Sequence, residues 1–202
     1  MRHVLCAATL AAATFAREGG WQLTDHPDDP DLATYGGMRF ATWAAATPAV
    51  GDLDDFVRRA QAHDPALRDE IRLAFRGRFV APVAEWFPTA HARGAALEVA
   101  VDHGITSGLR AAARVVQKAV GSAPDGIVGR RTCARLDRAL QSQGDLGVAM
   151  RITRERCAAY ADIAQRIPGR IVFVEGWMRR AVTAVIEAVE SEGGGKPWTS
   201  TG

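Results

Sequence analysis

From residue 91 onward the chain places its apolar residues at helical spacing. Ile105, Leu109, Ala112, Val116 and Ala119 recur at alternating steps of four and three, which keeps them on one side of a 3.6-residue turn. Leu146, Met150, Thr153, Cys157, Tyr160, Ala164 and Ile167 repeat the pattern over a longer span. Each run reads as a helix with one buried face. A last helix would carry Val174, Trp177, Met178, Ala181, Val185 and Val189, set off from the one before it by Pro168-Gly169. No stretch sustains a period of two, so the expected class is all-α, with at most a small β-hairpin near residues 20–40.

The front half is less regular. It reads as a first helix to about Glu18, a loop through Gly37, and short helices near Leu53–Ala62 and Pro65–Arg76. With 202 residues the chain suits one compact domain or two small ones. Two helical halves, 1–92 and 93–190, meet near His91-Ala92-Arg93-Gly94 without a flexible linker and are expected to share one core as a single compact unit. Ser191–Gly202, with its glycine triplet, reads as a flexible tail.

Composition removes several functions. Hydrophobic residues at 48% and charged residues at 24% suit a chain that buries a core without staples, not one that stays disordered. Lys plus Arg total 25 against 23 acidic residues, and a net charge of +2 is too weak a field for a dedicated nucleic-acid binder. Cys6, Cys133 and Cys157 are too few and too scattered for a disulfide framework or a zinc knuckle, and read as small buried hydrophobes. His3, His26, His63, His91 and His103 include no helix-face metal pair, so neither a metal nor another cofactor is expected.

The N-terminus has two readings. Met1-Arg2-His3 followed by Val4–Ala16 has the outline of an export signal, but an Ala-rich first helix ended by glycines accounts for the same residues. The helix is preferred, because cleavage after Ala16 would strip the support from the segment that follows. Thirteen residues are also too short to anchor the chain in a bilayer, and no stable membrane insertion is expected.

Several motifs fail on inspection. The loop Thr24–Asp31 is rich in aspartate, but Pro27 and Pro30 stand where a calcium loop needs a ligand and a glycine, so an Asp-Pro turn is the better reading. Gly121–Gly126 has the first spacing of a phosphate loop, with Ile127 where the lysine belongs. Ser107 has neither a nucleophile elbow nor an evident base.

Arg17-Glu18-Gly19-Gly20-Trp21 is different. A glutamate at the end of a helix meets the negative pole of the macrodipole, which raises its pKa in the direction a general acid requires. The glycines leave room for a polymer, and Trp21 offers a flat face to a sugar ring. A solvated Glu before a glycine cap explains the same residues.

The run Glu18-Gly19-Gly20-Trp21, then Pro27-Asp28-Asp29-Pro30, then Thr34 ahead of Gly37-Met38, resembles the opening of glycoside hydrolase family 108, the phage-type N-acetylmuramidases and their bacterial relatives. Further on, Val101–Gly108, Asp125–Thr132 and Gly176-Trp177 with Arg179-Arg180 resemble the peptidoglycan-binding region that follows such a segment. The resemblance covers most of residues 5–183. It implies a lysozyme-like all-α fold, Glu18 as catalytic acid, Thr34 as a group positioning water or sugar, and substrate contacts from Trp21, Asp29 and Asp102. For Asp125–Thr132 a plain helix connection explains most residues, Asp102 reads equally well as a buried polar bridge, and Trp177 at core spacing reads as packing.

The function this implies is hydrolysis of the peptidoglycan glycan strand by proton donation from Glu18, with Asp25, Asp29 or Asp102 as a second carboxylate. The partner would be peptidoglycan, not nucleic acid. The protein would be made in the cytoplasm and act on the periplasmic wall after release or particle delivery. Two rivals are a catalytically weakened peptidoglycan-binding or secretion-assisting protein and a structural protein of a phage-like particle.

Overall fold

The computed structural model of the chain describes residues 20–24, 33–47, 51–87 and 94–193. The expected first helix, Glu18, and the loop carrying Asp25 and Asp29 lie outside these residues. The chain forms two compact units divided in sequence between Pro82 and Val83, upstream of the division expected at 92–93. The fold is mostly α-helical with one small antiparallel sheet.

In the first unit the sheet has three two-residue strands, β1 (Leu23–Thr24), β2 (Thr34–Tyr35) and β3 (Met38–Arg39), in the order β1-β2-β3. The expected hairpin is the β2–β3 pair, in register Thr34↔Arg39 and Tyr35↔Met38. Gly36 at φ 57° and Gly37 at φ 73° both take the left-handed conformation that a two-residue hairpin turn demands at its centre. β1 adds a third strand through Leu23↔Tyr35.

Helix α1 (Phe40–Ala46) follows at once, where no helix was expected. Its alanines carry no period, and its burial rests on Trp43, packed 5.0 Å from Phe56 between ring centroids. Helices α2 (Leu53–Gln61) and α3 (Pro65–Phe75) fall where capping chemistry puts them. Asp52 accepts from the Asp55 amide, and Asp64 accepts from the Ala66 amide with Pro65 in the first turn. Both turn their apolar face inward, Phe56 and Ala60 from one and Leu67, Ile71 and Phe75 from the other. Arg59 ties the pair together: Nε donates to Asp64 at 2.7 Å while the two terminal nitrogens grip Glu70 at 2.8 and 3.2 Å. The Glu70 contact is the main reason the Arg59 guanidinium is held charged beyond its usual range. A π-helical turn, Arg76–Val80, leads into α4 (Ala81–Ala84).

The second unit begins within α4 and contains α5 (Ala95–Ser107), α6 (Leu109–Ala119), α7 (Arg130–Arg166), which breaks into two helical segments at Gly144 with φ 73° and ψ 170°, a 3-10 turn at Pro168–Arg170 and α8 (Ile171–Gly193). Every residue of α5 from Ala95 to Gly104 is buried, because α6, α7 and α8 all pack against it. A helix apolar on all sides is a core helix. Gly104 faces α6, where a Cβ would meet Leu109 at 3.4 Å. Asp145 caps the start of α5, accepting from the Ala96 amide at 3.2 Å.

Four expectations need correction. Ile105 to Ala119 is not one helix, because Gly108, at φ 86° and ψ 154°, breaks it into α5 and α6. The face predicted for α7 is rotated: Leu146, Met150 and Ile167 are exposed, and the buried seam runs through Ala149, Ile152, Arg156 and Tyr160. A charged residue in mid-seam hides the true face from apolar counting. α8 buries mainly the alanines 181, 184 and 188, leaving Val189 exposed, and it continues to Gly193, into the segment read as tail. Cys133 and Cys157 are half-buried free thiols instead of core residues.

Candidate functional site

In the first unit, the backbone at Gly20 turns through a left-handed φ of 70° and delivers Trp21 to the sheet. The Trp21 ring lies 5.3 Å from that of Tyr35. The guanidiniums of Arg68 and Arg72, one turn apart on α3, stand over it at 5.2 and 5.1 Å, in the range of cation–π attraction. Tyr35 is fully buried; its hydroxyl accepts from Arg68 Nε at 3.1 Å and lies 3.3 Å from His63 Nδ1. Trp21 is thus half-buried among cations, fixed by α3. Thr34 sits next to Tyr35 on β2, half-buried, opposite Thr24 and Arg39. The structure therefore brings Trp21 and Thr34 to the same small sheet, while Glu18 and Asp29 lie outside the described residues.

In the second unit the buried helix α5 carries Asp102 and His103. Asp102 Oδ2 is 2.7 Å from Arg156 Nη1, with both side chains shut off from solvent. Arg180 reaches the same carboxylate from α8, Nη2 donating to Oδ1 at 3.0 Å and Nε to Oδ2 at 3.4 Å. Arg156 Nε donates to the Tyr160 hydroxyl at 2.7 Å, and that hydroxyl lies 3.4 Å from His103 Nδ1. Neither terminal nitrogen of Arg156 makes an aligned hydrogen bond, so its compensation is the Asp102 charge. Burial, and then the nearby Arg156 guanidinium, push His103 down from 6.5 to about 3, outweighing the pull of Asp102, so the ring is neutral at physiological pH. Asp102 has the placement of a polar bridge; it is enclosed, and it is His103 and Tyr160 that face a cavity.

That cavity, about 340 Å³, opens between α6 and α7. Val115 and Ile163 contribute apolar wall, and Arg114, Lys118 and Arg166 supply positive charge at its edge. Beside it, the Asp125 turn is held by a buried glutamine. Gln117 Nε2 donates to Asp125 Oδ1 at 2.7 Å and to the Ile127 carbonyl at 3.0 Å, while its Oε1 accepts from the Gly126 amide at 2.9 Å. These donors, Gln117 first and the Ile127 amide second, hold the Asp125 carboxyl below its usual range. Gly126, at φ 83°, completes the turn, and α7 starts at Arg130 as expected for a helix connection.

Sequence reasoning missed Arg156, Tyr160 as a polar residue, and Gln117 as the organiser of the turn. Only Arg156 gave a usable signal, as a lone arginine inside an otherwise apolar helical face. Trp177 packs on Tyr160 at 5.4 Å and on Phe173 at 5.9 Å between centroids, as its core spacing suggested.

Residues 111–182 match a family model described as Predicted Peptidoglycan domain. The match spans α6, α7 and half of α8, and with them most of the cavity. No curated protein matches the sequence. Among solved structures, Brucella abortus SagA is similar at 24% identity over 92% of this chain and 95% of that one, with a TM-score of 0.64. At that identity the likeness is one of fold. Residues 111–182 are thus similar to a predicted peptidoglycan domain, and the rest of the chain lies outside that match.

Proposed function

We propose that the protein is a peptidoglycan hydrolase of the N-acetylmuramidase type, with Glu18 as general acid and the second unit as the wall-binding element. The observation that carries the wall association is the match of residues 111–182 to the peptidoglycan domain model. The lytic step is supported by the run Glu18-Gly19-Gly20-Trp21, whose last residue packs its ring against Tyr35, the residue after Thr34.

In this reading protonated Glu18 donates to the glycosidic oxygen as an oxocarbenium-like transition state forms on the neighbouring sugar. Asp102 is committed to Arg156 and Arg180, so the second carboxylate would be Asp25 or Asp29. A separation from Glu18 of about 5 Å would make it a nucleophile and one of about 6.5–9.5 Å a base acting through water. Thr34 would position that water or the sugar. The protein would be made in the cytoplasm and reach the periplasmic wall after release or particle delivery.

The test is release of reducing sugar from purified sacculi by wild type and by Glu18→Gln. Release by wild type, abolished in the variant, is the expected result; equal release, or none from either, refutes the enzyme. A family match confined to the second unit favours one alternative, a wall-binding protein whose lytic activity has faded. It is recognised by cosedimentation with sacculi without turnover.

A further inference from the structure

The cavity between α6 and α7 combines three features that the core does not need. Its floor is polar, made by the His103 ring and the Tyr160 hydroxyl, both at least 95% buried in an otherwise apolar bundle. Its edge is cationic. Arg114 and Lys118 stand four residues apart on α6, a spacing at which like charges repel, and among the described residues neither is paired with a carboxylate. Arg166, opposite them on α7, is ion-paired to Asp162 one turn earlier. Three cations against one anion, over a neutral His103, leave the cavity an excess of positive charge. Its volume, about 340 Å³, lies at the small end of ligand sites, which run from ~300 to ~1,000 Å³. That suits one or two amino-acid residues and not a glycan strand.

We propose that this cavity binds the peptide stem of peptidoglycan, gripping a stem carboxylate between Arg114 and Lys118 while the adjoining side chain enters against Val115 and Ile163. The proposal rests on the wall-binding reading of the second unit and goes beyond it by assigning the site and the ligand chemistry. A carboxylate on Arg114 and Lys118 relieves their mutual repulsion, and charge-assisted hydrogen bonds of this kind are the strong ones.

The experiment uses the full chain and a synthetic stem tetrapeptide, L-Ala-γ-D-Glu-meso-diaminopimelate-D-Ala, followed by calorimetry and by the NMR signals of the His103 and Tyr160 rings. Binding that shifts both rings, and that weakens at least ten-fold in Arg114→Gln/Lys118→Gln, supports the proposal. Both replaced residues are exposed, and an unchanged circular dichroism spectrum shows that the fold is kept. Failure to bind, binding that leaves the ring signals unmoved, or equal affinity in the double variant overturns it. So does an equal ring shift with acetate at the same concentration, which marks a general anion site. Glycan strands stripped of their stems keep the lactyl carboxylate of muramic acid; if they displace the peptide from the cavity, the stem assignment fails. Sacculus sedimentation and lysis are measured in parallel, so loss of this site with both retained leaves the proposed function standing.

Discussion

Replacing Asp102 with asparagine keeps the shape of the side chain and removes its charge. Arg156 is then left fully buried with two terminal nitrogens that make no aligned hydrogen bond. Arg180, with 21% of its side chain exposed, can swing toward water, but Arg156 cannot. Removing one partner of a buried pair costs about 3–5 kcal/mol, because the surviving charge has no solvent to turn to. That is a large part of the ~5–15 kcal/mol that holds a domain folded, and at roughly 3–6 °C per kcal/mol for a unit of this size it lowers Tm by about 10–30 °C. Urea unfolding followed by far-UV circular dichroism measures it, with helices α5 to α8 as the reporter. The control is Asp102→Leu combined with Arg156→Met, which removes both charges at similar volume and costs mainly the Arg156 bond to Tyr160, about 1 kcal/mol. A cost below about 1 kcal/mol for Asp102→Asn would refute the argument, as would a double variant no more stable than the single one.

Three further outcomes follow from the same geometry. His103 has a folded pKa of about 3 against 6.5 unfolded, so between those values the unfolded chain binds more protons and stability falls as pH drops. The His103 share is about 1.4 kcal/mol per pH unit inside that window, read as the difference in urea stability between wild type and His103→Asn; parallel pH profiles would contradict it. Gln117→Leu strips the Asp125 turn of its donors and acceptor, costing about 1–3 kcal/mol, and by NMR titration the Asp125 pKa rises toward its ordinary value. Gly108→Ala meets no steric obstacle but forces a Cβ into the glycine-only region at φ 86° and ψ 154°, so thermal unfolding should show a loss of about 1–3 kcal/mol with the helix content kept.

What was legible in the sequence follows from where local chemistry decides. α2 and α3 were readable because Asp52 and Asp64 cap them and Pro65 opens the second, signals that act within one turn. The connection at Asp125–Arg130 was readable for the same reason. α1 was not, since its alanines favour a helix but carry no apolar period to mark a face, and its buried side is set by Trp43 packing on Phe40 and Phe56. The break at Gly108 was passed over because the apolar period runs straight through it: Ile105 and Leu109 stand at helical spacing although they belong to different helices. The α7 face was misread because its centre is Arg156, a residue apolar counting treats as solvent-facing, and its partner Asp102 lies on another helix. Of the candidate site, the sequence left Asp102 open between a site residue and a polar bridge. The long-range pairings of Arg156, Arg180 and Tyr160 were beyond local pattern.

Because α5 is buried on every side from Ala95 to Gly104, Asp102 and His103 act as a key that only one alignment of the surrounding helices fits. A slide of α7 by one turn, about 5.4 Å, would carry Arg156 past Asp102 and strand its charge in hydrocarbon while Asp102 kept only Arg180, so neighbouring registers are closed to the bundle. The same lock sets the height of Tyr160 against His103, and with it the floor beneath Arg114 and Lys118. A guest arriving there meets a surface already cast, and little ordering is left to be done when it settles.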